Sequence, residues 1–243
     1  MELSGGSGFP QPWEGYLITI PKVVITLRVD VPYASFRKSY ARSFAETYPL
    51  PPPATVYGML LSLVGERFRR RHVGVRLAFA YKRMPHIATT LRKLSRYKYG
   101  VPNKQAKLGN APDFIETLCD IDFLCWVDSS EERGDEDDAQ HSVGQTLEQR
   151  VVLALTVPES VDRYGILCLG LSDDAVNDVS LCETIEGEWY RLVPDNMGAI
   201  ELPVWVDHVG AADTRWHRYC LEANATTVTV PTHDQWTQIV APD

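Results

Sequence analysis

Between residues 23 and 31 apolar and polar positions alternate: Val23, Ile25, Leu27 and Val29 share one face, and Thr26, Arg28 and Asp30 the other. That is the period of a half-buried strand. The period then changes. In PPPATVYGMLLSLVG, Val56, Met59, Leu60, Leu63 and Val64 recur at helical spacing, and Gly65 is placed to end the helix. Pro49, Pro51 and Pro52 hold the approach extended, and Pro53 fits the first helical turn, where its missing N–H costs nothing. Alternation returns at 73–81, through Val73, Val75, Leu77, Phe79 and Tyr81, and again at 115–127, through Ile115 to Val127. Leu147, Val151, Ala154 and Leu155 mark a second amphipathic helix within 143–155, and YGILCLGLS reads as a fourth strand.

The order strand, helix, strand, strand, helix, strand predicts an α+β, ferredoxin-like palm of the kind found in RNA-recognition modules. It occupies residues 22–182. Residues 1–21, rich in Gly, Ser and Pro, read as a flexible arm. Between the second and third strands lies a polar insertion, KRMPHIATTLRKLSRYKYGVPNKQAKLGNAPD, too long for an ordinary connection in a compact domain. Its span, about 84–113, is assigned to a basic thumb. Beyond residue 183, EWYRLV, ELPVWVDHV, RWHRYCLEA and TTVTVP read as short strands of a β-rich C-terminal extension.

Charge sharpens this picture. The chain has a net charge of -8, which taken alone disfavours a polyanionic partner. Residues 1–112, however, hold 18 Lys and Arg against 5 Asp and Glu, whereas residues 113–243 hold 6 against 27. Within the first part, residues 67–112 carry 13 basic residues and no acid. Such a run repels itself unless an anion lies against it, so it points to a bound polyanion, against the alternative of a solvated basic face. Five cysteines without a CxxC pair argue against a disulfide framework and a zinc site, and read as reduced, mostly buried residues. The start, MELSGGSGFPQPWEG, lacks the basic and apolar regions of a signal peptide, and no apolar run is long enough to span a membrane, so a cytoplasmic location is expected.

The stretch SFRKSYARSFAETYPLPPPATVYGMLLSLVGE resembles the N-terminal signature of the CRISPR-associated Cas-five family: a basic loop, Thr-Tyr-Pro, a proline cluster, then a helix with Tyr-Gly near its start. GILCLGLSDDAVNDVSL resembles the family's glycine-containing fourth strand, although Leu171 stands where the family often has a basic residue. The likeness covers roughly residues 22–182. It implies a non-catalytic subunit of a type I surveillance (Cascade) complex in antiviral defence. Palm and thumb would hold the 5′ handle of the crRNA, beside a Cas-seven backbone subunit and a Cas-eight large subunit. Target DNA would be reached only indirectly, through base pairing by the complex.

Single-stranded RNA is held by cations for phosphates and aromatic rings for bases. Arg92, Lys93, Arg96 and Lys98 interleave with Tyr97 and Tyr99, and Lys104 and Lys107 follow, which makes the thumb the first candidate contact. The alternative is a basic loop with no defined bound geometry. The helix start is the second, with Arg37, Lys38 and Arg42 before it, Tyr48 available to stack, and Gly58 open to close approach or to packing on a strand. Some members of the family cut repeat RNA without metal, using Tyr, Lys and His. Tyr48 could fill the first role, but the chain has no Lys-His pair, and His86 is the nearest other candidate. Asp173, Asp174, Asn177 and Asp178 lack calcium-loop spacing and read as a polar turn. No cofactor, metal or membrane is expected. A protein-interaction module that touches no RNA is the competing reading from another class.

Overall fold

The computed structural model describes residues 24–38, 44–96, 109–133, 144–209, 212–224 and 229–242. The arm expected at 1–21 and the predicted site residues Arg42, Tyr97, Lys98, Tyr99, Lys104 and Lys107 lie outside them. The chain enters on β1 (Ile25–Ala34) and touches the sheet again at the short β2 (Phe44–Ala45) before helix α1 (Pro53–Leu63). Strand β3 (Arg76–Tyr81) leads to β4 (His86–Arg96) and the 20-residue β5 (Gly109–Asp128), followed by α2 (Leu147–Thr156) and β6 (Asp178–Leu181). Four further strands complete it: β7 (Trp189–Pro194), β8 (Ile200–Trp205), β9 (Arg215–Asn224) and β10 (Thr237–Gln238). The sheet order is β6-β1-β5-β3-β7-β9-β8, antiparallel throughout, with β10 on β3, β4 on β5, and β2 parallel to β5.

The predicted helix forms as its sequence dictates. Pro52 is the extended N-cap, Pro53 takes the first turn, and Val56, Met59, Leu60 and Leu63 are buried against the sheet. Tyr57 is buried too, and its hydroxyl donates to the Arg69 carbonyl at 2.8 Å. Burial pushes that phenol well above its ordinary pKa. Helix α2 begins four residues later than 143. Its start is fixed by a capping box in which the Thr146 hydroxyl accepts from Gln149 N–H and the Gln149 side chain accepts from Thr146 N–H. One apolar core fills the space between the helices and the sheet, each fully buried Leu, Val or Phe contributing about 1.5–3 kcal/mol.

The extension is not a separate sheet. β7 pairs with β3, so the same sheet continues and curls until β8 lies against α1, where the Arg69 guanidinium stacks 3.8 Å from the Trp205 ring centroid. Residues 229–230 of TTVTVP form no strand. The fourth strand also differs from the expectation. YGILCLGLS does not form one: Gly165 and Gly170 take φ of 73° and 112°, which break an extended run, and one isolated bridge joins Cys168 to Ala175. The edge strand is β6, whose Asp178 to Leu181 pair with Asp30 to Leu27. Of the five free cysteines Cys125 alone is fully buried, and the other four are partly exposed. Among the described residues no helix is long and apolar enough to cross a membrane.

Candidate nucleic-acid interface

Over its described residues the polar insertion is largely paired. β4 runs antiparallel to the first half of β5, from His86 opposite Cys119 to Arg96 opposite Gly109, and forms a hairpin whose described β4 side chains are exposed. Asp120, the one non-glycine residue with positive φ (64°) among those described, sits at its base. There the burial alternation slips by one: Ile121, Phe123 and Cys125 face the core on one side of it and Leu118 on the other, and β1 slips likewise between Val31 and Ala34. Arg83, from the segment between β3 and β4, binds the Asp120 carboxylate at 2.5 Å. The backbone of Arg92, Lys93 and Arg96 thereby occupies the half of β4 farther from the palm, opposite Asp113, Pro112 and Gly109.

A half-open cleft of about 230 Å³ lies where four segments meet. Its walls are the loop after β1 (Ser35, Arg37), the start of α1 (Pro52, Thr55), the turn at Gly170 and Leu171, and the curled part of the sheet (Asp207, His208, Trp216). The loop is itself folded as a small ladder. Lys38 N–H donates to the Glu46 carbonyl and Tyr48 N–H to that of Phe36, both at 2.9 Å, which sets Arg37 opposite Thr47. Tyr48 is 7% exposed and packs its ring 5.9 Å from that of Trp216, itself 38% exposed at the cleft wall. Lys38 pairs with Glu46 at 3.1 Å.

Asp174 holds the cleft together. Its buried carboxylate accepts the N–H of Ser35 and that of Leu171, each at 2.8 Å. Asp174 therefore has a structural task in the polar turn, and Asn177 is turned to Asp30 at 2.6 Å. Among the described residues no group of acids, His or Cys is arranged for a metal ion. The helix start is a poor anion site as built, since Pro53 has no N–H and Thr55 N–H is bonded to the Pro52 carbonyl at 2.9 Å. Gly58 is exposed, and a Cβ there would meet nothing within 4 Å, so close packing on a strand does not account for it. His86 is at the hairpin base, and it does not line the cleft that Tyr48 lines.

The acid-free run does not need an external anion along its whole length. Arg71 binds Glu66 at 2.7 Å, Arg76 binds Asp128 and Glu131, and Arg70 donates to the Pro242 carbonyl at 3.0 Å. Lys82 lies over Trp189, as Arg69 does over Trp205. Burial works to raise the Glu66 carboxyl, but the bond from Arg150, Phe68 N–H and the charges of Arg150 and Arg71 outweigh it and hold that carboxyl below its usual range. Residues 69–76 are thus engaged internally, Arg71 by Glu66 just before the run, Arg76 by two acids of the second half, and Arg69 and Arg70 by a ring and a carbonyl, and the hairpin retains the excess of basic sequence.

An antiparallel sheet packed by two helices thus carries a hairpin of basic sequence and an aromatic-walled cleft. Residues 24–141 match the family described as CRISPR-associated protein (Cas_Cas5). A protein of Myxococcus xanthus (strain DK1622), "CRISPR-associated protein Cas5", is 41% identical over 201 residues, which are 79% of this chain and 87% of that one. A solved chain titled "CRISPR RNA-guided surveillance complex" shares the fold at a TM-score of 0.50 and 14% identity, covering 88% of this chain and 96% of that one. The chain belongs to the Cas-five (Cas5) family of CRISPR-associated proteins.

Proposed function

We propose that this chain holds the 5′ handle of a guide RNA in a type I CRISPR surveillance complex and does not cut it. The neighbour order β6-β1-β5-β3 supports reading these strands as the fourth, first, third and second of a ferredoxin-like palm, and the hairpin as its thumb. The observation that carries the proposal is the cleft, where Arg37 and the part-exposed ring of Trp216, backed by Tyr48, come together, with a hairpin whose strand β4 carries Arg92, Lys93 and Arg96 rising from the same sheet. Cations for phosphates and rings for bases are what an RNA without a complementary strand requires. The reading as a holder rather than a nuclease is supported by Tyr48, whose ring is buried against Trp216. In this role Cas-seven and Cas-eight subunits are the protein neighbours, target DNA is met through the guide, and the site of action is the cytoplasm.

The test is binding of the purified chain to single-stranded repeat RNA, followed by fluorescence anisotropy over a salt series. The logarithm of affinity falls with that of salt by about 0.7 per phosphate contacted. Trp216→Ala weakens binding by about 1–3 kcal/mol if the ring stacks on a base. Binding that is absent at low salt, or insensitive to it, overturns the proposal. Incubation of the same RNA without metal separates holder from nuclease: cleavage at one position, abolished by Tyr48→Phe, replaces the first reading with the second.

A further inference from the structure

Trp216 also lines a second, half-open hollow of about 520 Å³, and it is the one lining residue that this hollow shares with the cleft. The walls are β9 (Trp216, His217, Arg218), Glu201 on β8, and the turn between β7 and β8 (Asp195, Asn196). Turn and strand are fastened to each other. Asp195 N–H donates to the Arg218 carbonyl at 2.9 Å, and a Cβ at Gly198 would stand 2.2 Å from the Tyr219 carbonyl oxygen. All of this belongs to the C-terminal extension, beyond the residues 24–141 that match the family.

The sequence of this strand departs from its surroundings. Residues 113–243 hold only 6 basic residues, and two of them, Arg215 and Arg218, flank Trp216 and His217 in RWHR. All four are exposed. Trp216 stands opposite Pro203 and Arg218 opposite Glu201, so ring and guanidinium share a face of the sheet. The Arg218–Glu201 pair is 3.7 Å long with both side chains more than half exposed, and such a pair holds weakly. Arg218 can therefore turn to a stronger anion. His217 does other chemistry: partial burial lowers its pKa below the usual 6.5, so at neutral pH one ring nitrogen donates and the other accepts. A neutral imidazole suits a base edge or a ribose hydroxyl rather than a phosphate.

We propose that this hollow is a second nucleotide position, so that Trp216 separates two successive residues of the bound RNA, one in the cleft and the next against β9 with its phosphate on Arg218. The position presupposes the handle-binding reading above and extends the RNA track into the C-terminal strands. A side-chain ring can stand between neighbouring bases only where they are unpaired, so the occupant is a single strand. The hollow has the size of a site for one small ligand. Asp195 and Glu201 repel any further phosphate, which limits the contact to the one on Arg218.

The experiment is fluorescence anisotropy with the full chain and single-stranded repeat RNA, intact and trimmed one nucleotide at a time from each end. Arg218→Ala is expected to weaken binding of the intact RNA about threefold to tenfold and to lower the salt slope by about 0.7. His217→Ala is expected to weaken it to a similar degree with the slope unchanged. Glu201→Gln, which releases Arg218, is expected to tighten binding about twofold. On trimming, the Arg218→Ala penalty is expected to disappear at one particular nucleotide, while the penalty of Arg37→Ala, in the cleft, persists at that length. Thermal midpoints are read alongside. If Arg218→Ala lowers the midpoint, Asn196→Ala in the exposed turn is judged by the same trimming series. Wild-type affinity in the variant overturns the inference, and so do penalties that vanish at the same nucleotide as that of Arg37→Ala or persist at every length. Failure of the wild-type chain to bind the intact RNA sinks the handle-binding reading instead, so the two failures are told apart.

Discussion

The Asp174 carboxylate accepts the backbone N–H of Ser35 at 2.8 Å across a separation of 139 residues. With its second bond, to Leu171 N–H, it ties the loop after β1 to the turn at Gly170 and so fixes two walls of the cleft at once. Asp174→Ala leaves one buried and one part-buried donor without this acceptor. The expected cost is about 1–3 kcal/mol for each donor left unsatisfied. Chemical denaturation measures it, and RNA affinity is expected to fall with it because the walls part.

Gly170 and Gly58 make opposite predictions. At Gly170, with φ of 112°, a Cβ would stand 2.9 Å from the Ser35 carbonyl oxygen and 2.8 Å from the Asp174 carboxylate, so Gly170→Ala forces the two segments apart and destabilises the fold. At Gly58, inside α1 and open to solvent, Gly58→Ala raises stability by about 0.5–1 kcal/mol. Thermal unfolding reads both. A Gly58→Ala protein that is more stable yet binds guide RNA more weakly identifies this opening as a place of close approach by the ligand.

The basic residues divide into internal and external sets. Arg69 lies over Trp205, and burial lowers its guanidinium pKa, so Arg69→Ala is expected to reduce stability while leaving the salt dependence of RNA binding unchanged. Arg92→Ala, Lys93→Ala and Arg96→Ala are expected to do the reverse, each lowering the salt slope by about 0.7 if it meets one phosphate. Equal slopes for the wild type and the triple variant would remove the hairpin from the contact surface.

Acid should loosen the junction between the helices and the sheet. Glu66 and Asp128 are held below their ordinary values of 4.5 and 3.8. In each, burial works upward but is outweighed by arginine and N–H donors, from Arg150, Arg71 and Phe68 for Glu66 and from Arg76 and Ser130 for Asp128. A depressed carboxylate contributes stability that is complete above its unfolded value and is lost as pH falls through the folded one. Thermal midpoints are therefore expected to hold steady above pH 4.5 and to drop below it, with a shallower drop in Glu66→Gln measured across the same series.

Local chemistry was readable wherever a neighbour along the chain decides it. Pro53 and the spacing of Val56, Met59, Leu60 and Leu63 specify α1, and the T-x-x-Q of Thr146 and Gln149 carries the true start of α2, a signal that apolar spacing alone misplaced by four residues. Distant pairing was not readable. DVSL has little strand character by itself and becomes β6 because Leu27 to Asp30 offer it an edge, while the apolar YGILCLGLS is bent by two glycines in the left-handed region. The hairpin hid behind its polarity, although Ile87, Thr89 and Leu91 alternate as a strand should. The basic run looked self-repelling because Asp128 and Glu131 are far away in sequence, and Asp207, His208 and Trp216 reach the cleft only because the sheet curls.

β5 is one strand with two employments: its first half is an arm of the hairpin, and its second half is bonded to β1 on one side and β3 on the other at the centre of the sheet. A pull on the hairpin is therefore applied lengthwise to a strand clamped along both edges. Rows of hydrogen bonds loaded in shear must give way together rather than peel apart singly, so the hairpin's anchorage can resist force without the hairpin itself being strong.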